Sequence, residues 1–135
     1  MSKLCDGGEA FLADAALKTA AAANLYLGLY TDPTTEPAED AVLAGLTEPS
    51  GGGYARIALA KAGWTISGTA PTQAAQAQKT FTANGAAWGL TYGYFITDAE
   101  TGTANSLIAV EQFSDGPYNV PDGGVIKVSP KLNWS

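Results

Sequence analysis

Residues 88–134 read WGLTYGYFITDAETGTANSLIAVEQFSDGPYNVPDGGVIKVSPKLNW, and this stretch decides the fold. Its apolar runs are rich in Tyr, Phe, Ile and Val and are separated by DAETG (98–102) and SDGPYNVPDGG (114–124). Aromatic and β-branched side chains suit a pleated, half-buried surface. The breaks turn the chain for separate reasons: Gly reaches positive φ, Pro presets φ, and Asp hydrogen-bonds its own backbone. The pattern predicts a β-meander with strands over 88–97, 106–113 and 125–129. Leu132 and Trp134 extend the last of them.

Working outward, NLYLGLYT (24–31) alternates, with Leu25, Leu27 and Leu29 on one side and Tyr26, Gly28 and Tyr30 on the other. Such period-two patterning predicts a strand with one face in the core. Further strands are expected over 54–61, 64–67 and 79–83. Between them GTAPTQAAQAQ (68–78) is small and polar and reads as a surface connection. Residues 32–53 carry Pro33, Pro37, Pro49 and the triplet Gly51–Gly53, which mark a long loop with a short helical turn near 38–46. The class predicted is all-β, an antiparallel β-sandwich. Its core is expected from Leu25, Leu27, Leu29, Ile57, Leu59, Phe81, Phe95, Ile108, Val110, Ile126 and Val128.

Residues 1–23 differ. GEAFLADAALKTAAAA (8–23) is alanine-rich, and Phe11, Leu12, Ala15, Ala16 and Leu17 fall near helical spacing. A short N-terminal helix is expected. Alone it would be marginal in water, so it must pack on something. Two organisations follow. Either residues 1–23 make intermolecular contacts while 24–135 form the β-sandwich domain, or Phe11, Leu12 and Leu17 cap one open end of that sandwich. The first is the reading adopted.

Composition narrows function. The chain has 135 residues, which suits one core, and only 15% are charged, with a net charge of −6. An acidic chain lacks the basic stripe that releases counterions from nucleic acid or adsorbs to anionic lipid. No apolar run approaches the roughly 20 residues of a membrane span, and acidic residues interrupt any leader-like run near the N-terminus. Cys5 is the single cysteine, so no intrachain disulfide forms, and a bystander thiol is expected. Histidine is absent, which removes the commonest general base and metal ligand.

The remaining motifs carry little chemistry. Gly51–Gly53 lacks the Lys-Ser/Thr tail of a phosphate loop and reads as a turn or bulge. Arg56, the one arginine, is expected to pair with a loop carboxylate, buried or at an interface. Asp98, Glu100, Asp115 and Asp122 lie in turns without the spacing of a calcium loop, and they form a hydrolase pair only if two meet across a cleft. The aromatic residues read mostly as packing, with Pro117 and Tyr118 the exceptions because they lie in a loop. No catalytic residue, cofactor or metal ligand is assigned. The candidate interface residues are Phe11, Leu12, Leu17, Arg56, Pro117 and Tyr118.

Four segments in order resemble a family of small virion proteins of tailed bacteriophages. They are NLYLGLYTD (24–32), EPSGGGYARIAL (48–59), the WG…GYFITDAETG block (88–102) and EQFSDGPYNVPDGGVIKVSPKLNW (111–134). The resemblance spans Asn24 to Trp134 and brings no catalytic motif. It implies a jelly-roll-like β-sandwich on the virion, made in the host cytoplasm. The function it favours is a capsid decoration (cement) protein at the capsid surface, binding the major capsid protein and its own copies. A homotrimer would match three-fold lattice positions. The alternative is a receptor- or glycan-binding module of a tail or head fibre. An enzyme is the remaining hypothesis, and the expectation is that there is no enzymatic activity and no nucleic-acid or membrane partner.

Overall fold

Leu27 and Leu29 are fully buried, as their alternation predicts, yet Gly28 and Tyr30 on the opposite side of the same strand are buried too. The strand therefore lies in the middle of the molecule with both faces covered. In the computed structural model, which describes residues 24–32, 37, 41–68, 72–103 and 107–134, this strand is β1 (Leu25–Tyr30). It is followed by β2 (Ile57–Leu59), β3 (Thr65–Ser67), β4 (Thr72–Ala75), β5 (Lys79–Thr82) and β6 (Gly89–Thr91). Then come β7 (Gly93–Thr97), β8 (Leu107–Gln112), β9 (Tyr118–Val120), β10 (Val125–Val128) and β11 (Lys131–Trp134). Two single 3-10 turns, Leu43–Gly45 and Lys61–Gly63, are the helical elements among the described residues.

Every strand pairing is antiparallel. The largest sheet has the order β2-β1-β7-β8, and smaller ones are β11-β4-β3, β10-β5 and β6-β9. One core joins them all. Leu27, Leu29, Leu59, Tyr94 and Ile96 come from the large sheet, Ala74, Phe81, Val120, Ile126, Val128 and Leu132 from the others, and Trp88 from just before β6. The fold is thus an all-β, antiparallel sandwich. Across the large sheet a second cluster packs Tyr30 and Phe95 against Leu43, with Leu46, Tyr92, Leu107 and Val110 around them. This is why both faces of β1 are buried: the loop that follows β1 folds back over its second face.

Several sequence expectations are corrected. Residues 68–78 do not form a plain surface connection, because Thr72–Ala75 is the central strand of its sheet, pairing with both β3 and β11. Residues 131–134 do not extend β10 but form that partner strand. Residues 88–97 are two strands. β6 pairs with β9, the chain bends at Tyr92, and β7 then pairs with β1 and β8. Tyr118 starts β9 rather than lying in a loop.

Ile108 is also not core. Ile96 faces Ala109 and Thr97 faces Leu107, so Ile108 is the extra residue of a β-bulge and is 40% exposed. Phe95 is buried as expected, but in the second cluster. The N-terminal helix, Cys5, Phe11, Leu12 and Leu17 lie outside the described residues, as do 38–40 of the expected helical turn.

Candidate binding groove

The second strand was expected from Tyr54, and it begins at Ile57 for a physical reason. The pairing of β1 with β2 stops at Leu27 opposite Ile57. Beyond it, the Leu29 N–H donates to the Tyr54 hydroxyl at 2.9 Å, so a side chain continues the ladder. That hydroxyl donates in turn to Glu48 Oε1 at 2.7 Å. Burial first, and then this carboxylate, push the Tyr54 hydroxyl well above the usual tyrosine range.

Arg56 completes the cluster. Its guanidinium grips Glu48 with both prongs, Nε to Oε1 at 3.0 Å and Nη2 to Oε2 at 2.7 Å. It also donates to the carbonyls of Ala99 and Gly102, each at 2.8 Å, and its centre lies 5.4 Å from the Phe95 ring centroid. The Arg56 side chain is 3% exposed and that of Glu48 23%. The Glu48 hydrogen bond raises the arginine further above its ordinary value, so it stays charged. A cavity of about 280 Å³ beside the cluster is lined by Glu48, Tyr54, Arg56 and Glu100. The arrangement ties the loop before β2 to the β7–β8 turn, and four of the five guanidinium donors are engaged within the chain.

Gly52 belongs to the same region. Its φ is +55°, and a Cβ there would stand 2.5 Å from the Ala86 carbonyl and 2.6 Å from Trp88 Nε1. The glycine lets the indole approach and donate to the Gly52 carbonyl at 3.1 Å. The triplet is a turn, as expected, in which Gly52 is packed while Gly51 and Gly53 are exposed.

A different surface has the form of a binding site. Phe113 just after β8, all of β9 with Pro121, and the start of β10 enclose an open groove of about 570 Å³. Phe113, Tyr118, Asn119, Pro121, Val125 and Lys127 form its walls, and buried Val120 and Ile126 its floor. Alternation in β10 places Val125 and Lys127 on the outward side and Ile126 and Val128 inward. Tyr118 is 37% exposed and Val125 51%. The Tyr118 ring stands edge-on to Phe113, centroids 5.3 Å apart, and Phe113 lies 6.3 Å from Tyr94. The Tyr118 hydroxyl donates to Asp115, which holds the ring in place and pushes the hydroxyl above its usual range. An oriented aromatic ring, an amide and an ammonium group around an open depression suit recognition of a small amphipathic ligand.

Residues 5–130 match the family model described as podophage GP4 fiber I protein gp80. The chain belongs to that family. As a phage fiber protein family, it makes the chain a virion structural protein of a tailed phage. The fiber description fits the fibre alternative better than capsid decoration. No curated protein and no solved structure matches the chain.

In this gp80-family chain the described site candidates, Arg56, Pro117 and Tyr118, fall in two places, and Phe11, Leu12 and Leu17 lie outside the described residues. Arg56 is in the internal cluster. Tyr118 is in the groove, and exposed Pro117 precedes it through a cis peptide bond from Gly116. Among the turn carboxylates, Asp115 accepts from Tyr118, and Asp122 accepts from the Gly85 N–H at 2.8 Å. Phe113, Asn119, Val125 and Lys127 were not singled out by sequence reasoning. The alternation VIKV was the signal that set Val125 and Lys127 side by side.

Proposed function

We propose that the chain is an adhesive module of a podophage fibre, binding a receptor or glycan on the bacterial surface through the Phe113–Lys127 groove. The observation that carries this reading is Tyr118, a half-exposed aromatic ring fixed by Asp115 at the wall of an open groove. Buried rings stabilise a fold; an exposed, oriented ring beside polar groups offers a contact surface at little entropic cost. The sandwich supplies the rigid support. The reading is one of binding without turnover, by a protein that also associates with its own copies. Family membership supports a fibre over a cement, so the major capsid protein is not the partner proposed.

The test is direct binding of labelled full-length protein to host cells. Wild type should bind saturably, and Tyr118→Ala should lose at least about 1 kcal/mol of affinity, the usual threshold of a contact that matters. Binding by wild type that Tyr118→Ala leaves unchanged, or no binding by wild type, would overturn the reading.

A further inference from the structure

We infer that the groove takes an acidic saccharide, with Lys127 receiving its carboxylate; this rests on the adhesive reading above. Charge is the first argument. The chain carries 13 acidic against 7 basic residues, yet among the described residues no carboxylate lines the groove and Lys127 does. Of the acids near the groove, Asp115 accepts from the Tyr118 hydroxyl and Asp122 from the Gly85 N–H. Lys127 is therefore the cation that an anionic group would meet in this groove. Lys127 stands on the exposed side of β10, two residues from Val125, so its ammonium group shares a wall with an apolar surface.

Shape and polarity identify the rest of the ligand. The Tyr118 ring offers an apolar surface suited to the C–H face of a sugar ring, and its edge is fixed by Phe113 and Asp115. Asn119, exposed in the same wall, supplies both a donor and an acceptor for hydroxyl groups. A volume of about 570 Å³ falls within the range of small-molecule sites and admits more than one sugar ring. A sugar bearing a carboxylate satisfies all three features together: stacking on Tyr118, hydroxyls at Asn119 and a carboxylate at Lys127.

The experiment compares a tetrasaccharide of hexuronic acid with its carboxyl-reduced neutral counterpart, by calorimetry on the full chain. Host-cell binding is measured in parallel. The acidic probe should bind, and the neutral one should bind about two- to fivefold more weakly, as for a solvent-accessible ion pair. Added salt should narrow that gap. Lys127→Ala should bring the two probes to equal affinity, Lys127→Arg should preserve the preference, and Tyr118→Ala should weaken both. The two Lys127 variants should keep the wild-type Tm, because Lys127 is exposed, and Tyr118→Ala should remain folded with a Tm lowered by a few degrees through the lost Phe113 contact.

Equal affinity for the two probes in wild type overturns the acidic assignment. Failure of both probes while the protein still binds cells overturns the saccharide and leaves the adhesive reading intact. Cell binding abolished by protease treatment of the cells would point instead to a peptide laid along a strand edge, and it too overturns the inference. Loss of cell binding altogether defeats the adhesive reading itself.

Discussion

The ring of Phe95 occupies the space that a side chain at Gly28 would fill. The two face each other across β1 and β7, and a Cβ on Gly28 would stand 2.3 Å from the tip of the ring. Aromatic cover of a strand glycine pins register and seals the sheet face. Gly28→Ala should therefore cost roughly 1–3 kcal/mol through overpacking. Phe95→Leu should also destabilise, but the pair Gly28→Ala/Phe95→Leu should cost less than the sum of the two. Urea denaturation of the four proteins measures the coupling, and strict additivity would refute the contact.

Arg56 should resist conservative replacement. Arg56→Ala leaves Glu48 with the Tyr54 hydroxyl but without its cation, a loss of about 3 kcal/mol, the low end for a buried pair because Glu48 is 23% exposed. Arg56→Lys keeps the charge but not the fork, and it should still cost about 1.5–3 kcal/mol in lost charged hydrogen bonds. Because the arginine side chain is 3% exposed, added salt should leave these differences nearly unchanged. Chemical denaturation at low and high salt checks both points.

Alkaline pH should unfold the protein through Tyr54 and Tyr94. Burial, then Glu48 in one case and Glu111 in the other, raise both hydroxyls above the ordinary tyrosine value. The folded state then keeps protons that the unfolded state gives up. The stabilisation is complete below about pH 10 and declines as pH rises beyond it. Tm measured from pH 7 to 12 should fall above about pH 10. Tyr54→Phe should start lower, having lost two hydrogen bonds, and should fall less steeply.

Two isoleucines separated by the bulge should differ. Ile96 is fully buried, and Ile96→Ala should cost about 2–5 kcal/mol. Ile108 is displaced outward, and Ile108→Ala should stay near 0.5 kcal/mol. Thermal melts of the two variants decide the matter, and equal losses would place Ile108 in the core.

Alternation in NLYLGLYT and the runs after Trp88 made the all-β class and most strands legible, because those residues favour strands on their own. β4 was not legible. Its sequence, TQAA, has weak strand preference, and it becomes a central strand only because Lys131–Trp134 and Thr65–Ser67 pair on its two sides. The bulge at Ile108 was hidden for a related reason: an unbroken apolar run gives no sign of one residue too many. Within the site, Tyr118 was visible as an unusual aromatic among turn residues. Its meeting with Phe113 and Lys127 depends on how β8, β9 and β10 are brought together, which spacing along the chain does not encode.

The bulge also bears on how the chain behaves in bulk. Among the described residues β8 ends the large sheet, and it presents Leu107, Ile108, Ala109 and Val110 along that rim. A regular rim of this composition is a template: a second molecule adds to it, a third to the second, and open-ended polymer grows. The extra residue at Ile108 breaks the even spacing of hydrogen-bonding groups there. An arriving strand finds a matching row only from Ala109 to Gln112, too short to nucleate growth. One surplus residue thus works against strand-by-strand growth from this rim.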